Sequence, residues 1–168
     1  TASTDEDTAV DITLSSTDSE GDSVTFSIVS DASNGTTSLS GSTVTYTPDD
    51  DYNGTDTFTY NVNDGDEDSN TSTVTITIAA VNDTPVTSDQ AVSTPEENPL
   101  QITLDGTDID EDTLTYSIVS DVSNGTTSLT DSTVTYTPAD DFAGTDSFTF
   151  KANDGTVDSN TSTVTITV

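Results

Sequence analysis

Carboxylates recur at fixed spacing in this sequence. Asp18-x-Glu20-x-Asp22 and, ninety positions on, Asp108-x-Asp110-x-Asp112 place acids at alternate positions of a turn between two strand-like segments. Hard oxygen ligands so spaced can converge on one divalent cation, calcium above all. A second cluster, Asn63-Asp64-Gly65 matched by Asn153-Asp154-Gly155, follows an aromatic run, and its glycine permits the positive φ of a tight turn. A plain type I′ hairpin is the competing reading there. Thr4-Asp5-Glu6-Asp7 against Thr94-Pro95-Glu96-Glu97 forms the third cluster. The fourth is Asp49-Asp50-Asp51 against Asp140-Asp141, with Asp56 or Asp146 following. A single alternating acid pair is most often a solvated loop, and its recurrence adds little because duplication copies everything. The case for a metal is that the clusters fall at the ends of the strand-bearing regions and meet Asn82-Asp83 in the only linker, so that three sources converge on one junction.

Charge sharpens that case. One basic side chain, Lys151, stands against 32 acids, for a net charge of -31. Neutralisation must then come from bound metal, counterions or protonation. Nucleic acid is excluded as a partner, since polyanions repel the chain. Low hydrophobic content at high net charge is also the signature of disorder. Here, however, the apolar residues are gathered into short alternating runs of Val, Ile, Phe and Tyr, which encode strands. With no cysteine, neither a disulfide nor a thiolate site can support a small domain, and a metal could take that role. No apolar stretch approaches the roughly 20 residues of a membrane span. No signal peptide opens the chain, which starts and stops inside repeat sequence, so a fragment of a longer array is expected.

The elements that must position the acids repeat as well. Thr4 to Ile78 aligns with Thr94 to Val168 without a gap, with about six in ten positions identical. The boundary is expected near Asn82, giving repeats over 1–82 and 83–168, because alternation stops at Ala79-Ala80 and Pro85 removes a ladder donor. Each copy carries five to seven strand candidates, the pattern of an antiparallel sandwich. Val10 to Leu14, Val24 to Ile28, Val44 to Tyr46, Phe58 to Tyr60 and Val74 to Ile78 alternate apolar with polar residues, and Thr fills the outward positions. Asn34-Gly35 and Asn124-Gly125 read as type I′ hairpin turns. The fold expected is all-β: two tandem antiparallel sandwiches arranged end to end.

These residues resemble a family, the cadherin-like tandem repeats of large bacterial surface adhesins and secreted calcium-binding proteins. Thr107-Asp108-Ile109-Asp110 followed by Leu114-Thr115-Tyr116-Ser117-Ile118 is similar to the cadherin acidic turn and its next strand. Val81-Asn82-Asp83-Thr84-Pro85 is similar to the interdomain linker, and Pro95-Glu96-Glu97-Asn98 to the glutamate motif. The resemblance implies that each repeat is a Greek-key β-sandwich, cadherin-like or Ig-like, and that calcium lies at the junction, held by Glu6 and Asp7, by Asp50 or Asp51, by Asn82 and Asp83, and by Asp108, Asp110 and Asp154. The base loop departs from the animal pattern, being Asp49-Asp50-Asp51-Tyr52, and the linker is less acidic, so one or two ions are expected. Asp18, Glu20, Asp22 and Asp64 at one tip, and Glu96, Glu97, Asp140 and Asp141 at the other, would await further repeats.

The function implied is a calcium-stiffened extracellular spacer of a bacterial surface or secreted protein, a monomer whose partners are neighbouring repeats of the same chain. An enzyme is the poorest fit, because there is no His and no Cys for general-base or nucleophilic chemistry and no Trp to stack a glycan. A calcium-dependent module binding polysaccharide or cell-surface glycans is the alternative, though the Phe and Tyr residues fall at inward or turn-adjacent positions. Homophilic adhesion would need an apolar patch that Thr-rich outer faces do not offer.

Overall fold

The computed structural model describes residues 1–168 as two units, Thr1–Val81 and Asn82–Val168, with no helix in either. Unit 1 holds β1 (Ala2–Asp5), β2 (Val10–Thr13), β3 (Thr25–Ser30), β4 (Gly35–Ser40), β5 (Thr43–Pro48), β6 (Gly54–Asn63) and β7 (Ser72–Ala79). They form a four-stranded sheet ordered β1-β7-β6-β3 and a three-stranded sheet ordered β2-β5-β4. Unit 2 holds β8 (Val86–Thr87), β9 (Gln90–Ser93), β10 (Leu100–Thr103), β11 (Gly106–Thr107), β12 (Thr115–Ser120), β13 (Gly125–Thr130), β14 (Thr133–Pro138), β15 (Thr145–Asn153) and β16 (Ser162–Thr167). Its sheets run β9-β16-β15-β12 and β10-β14-β13, with β8 and β11 as an added pair.

Alternation does the work expected of it. In β7, Val74, Ile76 and Ile78 are buried while Thr77 and Ala79 are exposed. On the opposite face Thr55, Thr57 and Thr59 of β6 stand across from Thr77, Thr75 and Thr73, a ladder of β-branched pairs suited to a pleated outer surface. Inside, Val44, Tyr46, Phe58 and Ile76 of unit 1 are fully buried, as are Val134, Tyr136, Phe148 and Ile166 of unit 2.

Two features depart from the sequence reading. The sheets are antiparallel except that β1 pairs parallel with β7, and β9 with β16. A parallel neighbour needs a long crossover, and here the whole unit lies between the two strands. The type I′ hairpins expected at Asn34-Gly35 and Asn124-Gly125 do not form. β3 pairs with β6 and β4 with β5, so these dipeptides are corners where the chain passes between sheets, and neither their Asn nor their Gly residues have positive φ. The glycine is needed for close approach instead. A Cβ on Gly35 would lie 2.5 Å from the Thr47 carbonyl oxygen and 2.7 Å from the Tyr46 ring. The tight two-residue turn comes later, between Ser40 and Thr43, with Gly41 at φ 61.

Each corner is held by a buried acid. Asp56, 4% exposed, accepts hydrogen bonds from the N–H groups of Ser33 (3.1 Å) and Asn34 (2.8 Å) and from the Tyr46 hydroxyl (3.0 Å). Asp146 does the same for Ser123, Asn124 and Tyr136. Burial alone would raise the Asp56 carboxyl, but those N–H groups, that of Thr57 and the phenol more than offset it, and the group sits below the usual carboxylate range. Burial, then the bond to Asp56, pushes the Tyr46 phenol up. Because the folded value is depressed, the stability that Asp56 adds is complete above its unfolded pKa of about 4 and is lost as pH falls through the folded value. Asp56→Ala removes the acceptor of three N–H groups, those of Ser33, Asn34 and Thr57, and leaves the Tyr46 hydroxyl only its 3.1 Å bond to the Asn34 carbonyl, and urea denaturation at neutral pH should show a loss of about 2–3 kcal/mol. Between roughly pH 5 and pH 2 the variant should lose less further stability than the parent chain.

Candidate metal centre

The turn from β11 to β12 is shaped by its own first acid. Asp108 Oδ1 accepts the N–H groups of Asp110 (3.1 Å) and Asp112 (3.2 Å), which folds the loop back on itself. As a result Asp108, Asp110 and Asp112 each bring a carboxylate oxygen within 4.8 Å of the others. Asp108 Oδ2 is buried and has no hydrogen-bond partner. An orphaned carboxylate oxygen beside two more acids is costly unless a cation meets it.

The start of unit 2 closes on the same tip. The Asp83 N–H donates to Asp110 Oδ2 at 2.8 Å, while the Asn82 side-chain amide donates to the Asp83 carbonyl at 2.7 Å and to Asp154 Oδ2 at 2.9 Å. Asp154 spends its other oxygen on its own turn, accepting from Thr156 (2.6 Å) and Val157 (2.7 Å) beside Gly155 at φ 104. The Asn82 amide, then the Val157 N–H, hold the Asp154 carboxyl below its usual range. Asn82, Asp83, Asp108, Asp110 and Asp154, chosen from sequence, therefore lie together. Asp112 joins them, a residue present in the alternating acid pattern but absent from the ligand set the family resemblance implies. Every donor is oxygen, the set a hard cation such as calcium takes. The only lysine is elsewhere, paired with Asp158.

The unit 1 residues of the set form their own arrangement. Glu6, 3% exposed, accepts the Val81 N–H on one carboxylate oxygen, and its own N–H donates to the Ala79 carbonyl at 2.9 Å, so it grips the chain where β7 ends. Asp7 accepts the Asp51 N–H at 3.1 Å. Both Asp7 and Asp51 have φ 57, a left-handed conformation that Asp tolerates better than most residues. Asp50 is exposed in the same turn. At the opposite end of unit 1, Asp18 Oδ1 accepts three N–H groups, from Glu20, Gly21 and Asp22, and Asp64 Oδ1 accepts two, from Asp66 and Glu67. These loops copy the shape of the unit 2 turn, yet Asp18, Glu20 and Asp22 do not gather as Asp108, Asp110 and Asp112 do.

The sequence groups Asp56 and Asp146 with the fourth acidic cluster, whereas the structure buries both in the corners between sheets. The signal available was parity: in the run from Asp56 to Tyr60, Asp56 shares a face with the inward Phe58.

Two sandwiches of this topology, with oxygen-rich tips, define tandem cadherin-like repeats of the immunoglobulin-like class. The bacterial Ig domain family matches residues 1–77 and again 82–167, and the chain belongs to that family. Among solved structures it is similar to human mucin-like protocadherin EC1-2 (18% identity, TM-score 0.60), covering 99% of this chain and 93% of that one. It is also similar to human protocadherin-24 EC1-2 (16% identity, TM-score 0.59), covering 99% and 91%. At such identity the likeness shows the fold. An endo-fucoidan hydrolase of glycoside hydrolase family 107 aligns over 100% of this chain at 24% identity and TM-score 0.43, and this chain spans 27% of that protein's length. No curated protein sequence matches the chain. No helix is long and apolar enough to cross a membrane.

The grip of Glu6 on Val81 can be tested without metal. With chelator present, Glu6→Ala should cost roughly 1–3 kcal/mol of unfolding free energy, and Glu6→Gln, which keeps an acceptor, distinctly less. Denaturant titration of the two variants side by side reads the difference.

Proposed function

We propose that the two repeats are calcium-binding spacer domains of a bacterial surface or secreted protein, outside the cell, and that they carry no catalytic chemistry. The observation that supports this best is the buried, unpartnered oxygen of Asp108, in a turn that gathers Asp108, Asp110 and Asp112 with no basic side chain to meet them. Asn82, Asp83, Asp108, Asp110, Asp112 and Asp154 would hold the ion, and Glu6, Asp7 and Asp50 or Asp51 would complete the shell from unit 1. Carboxylates so close repel one another, and a dication relieves that repulsion. Extracellular sites of this kind bind in the range of roughly 10⁻⁴ to 10⁻³ M. An ion drawn on by both repeats would fix the passage from one to the next, giving a rod that holds a binding tip away from a cell. By linkage, free calcium at one hundred times Kd adds about 2.7 kcal/mol to the folded state, so the chain would be softer where calcium is scarce.

Calcium titration by calorimetry should find one or two sites, and chelator should lower the melting temperature and broaden the small-angle scattering profile. Asp108→Ala together with Asp110→Ala should abolish the tighter binding while the circular dichroism of a β-sandwich persists. Scattering and melting curves that ignore both calcium and chelator would refute the proposal.

A further inference from the structure

Four of the five tyrosine hydroxyls are bonded inside the fold. Those of Tyr46 and Tyr136 donate to Asp56 and Asp146, that of Tyr52 to the Thr55 carbonyl and that of Tyr60 to the Ser15 carbonyl. The fifth, on Tyr116, makes no hydrogen bond, although its ring is half-buried and packs on the core of unit 2 beside Phe150. A phenol held partly away from water ordinarily finds a partner. Burial, then the nearby Asp105, push this phenol up, so it stays neutral and its oxygen is available as an acceptor.

Tyr116 lines a groove of about 570 Å³ in unit 2. One wall is formed by residues 113–116, at the start of β12, and the other by Leu129, Asp131 and Ser132, where β13 turns into β14. β12 and β13 are each an outer strand of their sheet, so the groove runs along an edge of the sandwich. An outer strand presents unpaired N–H and C=O groups, and beyond Ile118 a shift of register ends the regular stretch of this one. Asp131 is exposed at the rim and accepts no hydrogen bond. None of Asp108, Asp110 and Asp112 lines this groove.

Unit 1 shows which of these groups the fold itself requires. Its corresponding residues are Val24, Phe26, Leu39, Gly41 and Ser42, so the apolar character is kept while the hydroxyl and the acid are absent. Phe26 packs beside Tyr60 as Tyr116 does beside Phe150, with no phenol oxygen. Gly41 takes φ 61 at the same turn where Asp131 takes φ 53, so that turn is made without a carboxylate. Phenol and acid are both dispensable to the sandwich, and both line one groove.

We propose that this groove is a docking site for an extended segment of a partner protein that carries an arginine and lies along β12. Charge selects the occupant. The only basic side chain of the protein is paired with Asp158, so a cation for Asp131 must come from outside, and a net charge of -31 repels acidic partners. Backbone bonds to the β12 edge would supply affinity, while alternate side chains of the segment enter the groove. The arginine stem would lie on Leu114 and Leu129, and its planar guanidinium, with several N–H donors, would serve the Tyr116 oxygen and the Asp131 carboxylate together. No metal ion takes part, so the inference stands apart from the calcium reading.

The probe is an acetylated, amidated Thr-Val-Arg-Val-Thr peptide, titrated into the isotope-labelled full chain once in chelator and once in calcium. Saturable amide shifts are expected at residues 113–116 and 129–132 in both conditions. Residues 24–26 and 39–42 of unit 1 should stay unmoved, which separates docking from general attraction to an acidic surface. The peptide with citrulline in place of arginine should bind about tenfold more weakly or worse, the scale of one lost charge-assisted hydrogen bond. Tyr116→Phe combined with Asp131→Gly gives unit 2 the residues that unit 1 folds with, and should weaken the arginine peptide by a similar factor while leaving the citrulline peptide's affinity where it was. Shifts spread equally over both units, an affinity indifferent to citrulline, or the same residues moved as tightly by spermine would overturn the proposal.

Discussion

The structure depends on one constraint, negative charge with almost no positive side chain to meet it. Backbone N–H groups take the place of cations. Asp18 accepts three of them, Asp64 and Asp108 two each, Asp56 accepts from Ser33 and Asn34, and Asp154 from Thr156 and Val157. A carboxylate bonded this way is stabilised in its charged form and at the same time dictates the loop around it. Net charge that would otherwise oppose compaction is converted into turn geometry, and the turns hold the strands in register.

That use divides each carboxylate in two. At Asp56 and Asp146 both oxygens are consumed by the corner and the phenol, so the group is closed and structural. At Asp108 one oxygen builds the loop and the other is left buried without a partner; at Asp154 one oxygen builds the loop and the other receives only a side-chain amide. The closed acids stabilise the unit, whereas the buried, unpartnered oxygen of Asp108 costs it stability until something positive arrives. Whether an acid is structural or available to a ligand is therefore decided by whether hydrogen bonds reach both of its oxygens or only one, a property of the fold more than of residue type.

Much of this was legible in the sequence. Alternation of Val, Ile, Phe and Tyr with Thr gives the strands and their faces, and the ninety-residue offset gives the two copies. The acids of the unit 2 tip are legible because their spacing is local. What escaped depends on partners far along the chain. The role of Gly35 is set by the Tyr46 ring and that of Asp56 by Ser33 and Asn34, more than twenty residues away. Asn-Gly is a strong hairpin signal only when the flanking strands pair with each other, and β3 and β4 belong to different sheets. The parallel pairing of β1 with β7 joins the two ends of a unit, which no local pattern encodes.

The two copies make a final point about what sequence identity implies. Asn70 and Asn160 stand in identical Ser-Asn-Thr-Ser contexts, yet the first bonds to its own neighbour and the second clamps a strand. Gly106–Thr107 is strand and Ser16–Thr17 is not, although glycine is the poorer strand former. Intrinsic preference points the wrong way, so the presence of Val86–Thr87 alongside must decide the conformation. The conformation of Gly106–Thr107 is therefore set by a partner strand nearly twenty residues earlier in the same unit, and not by its own residue types.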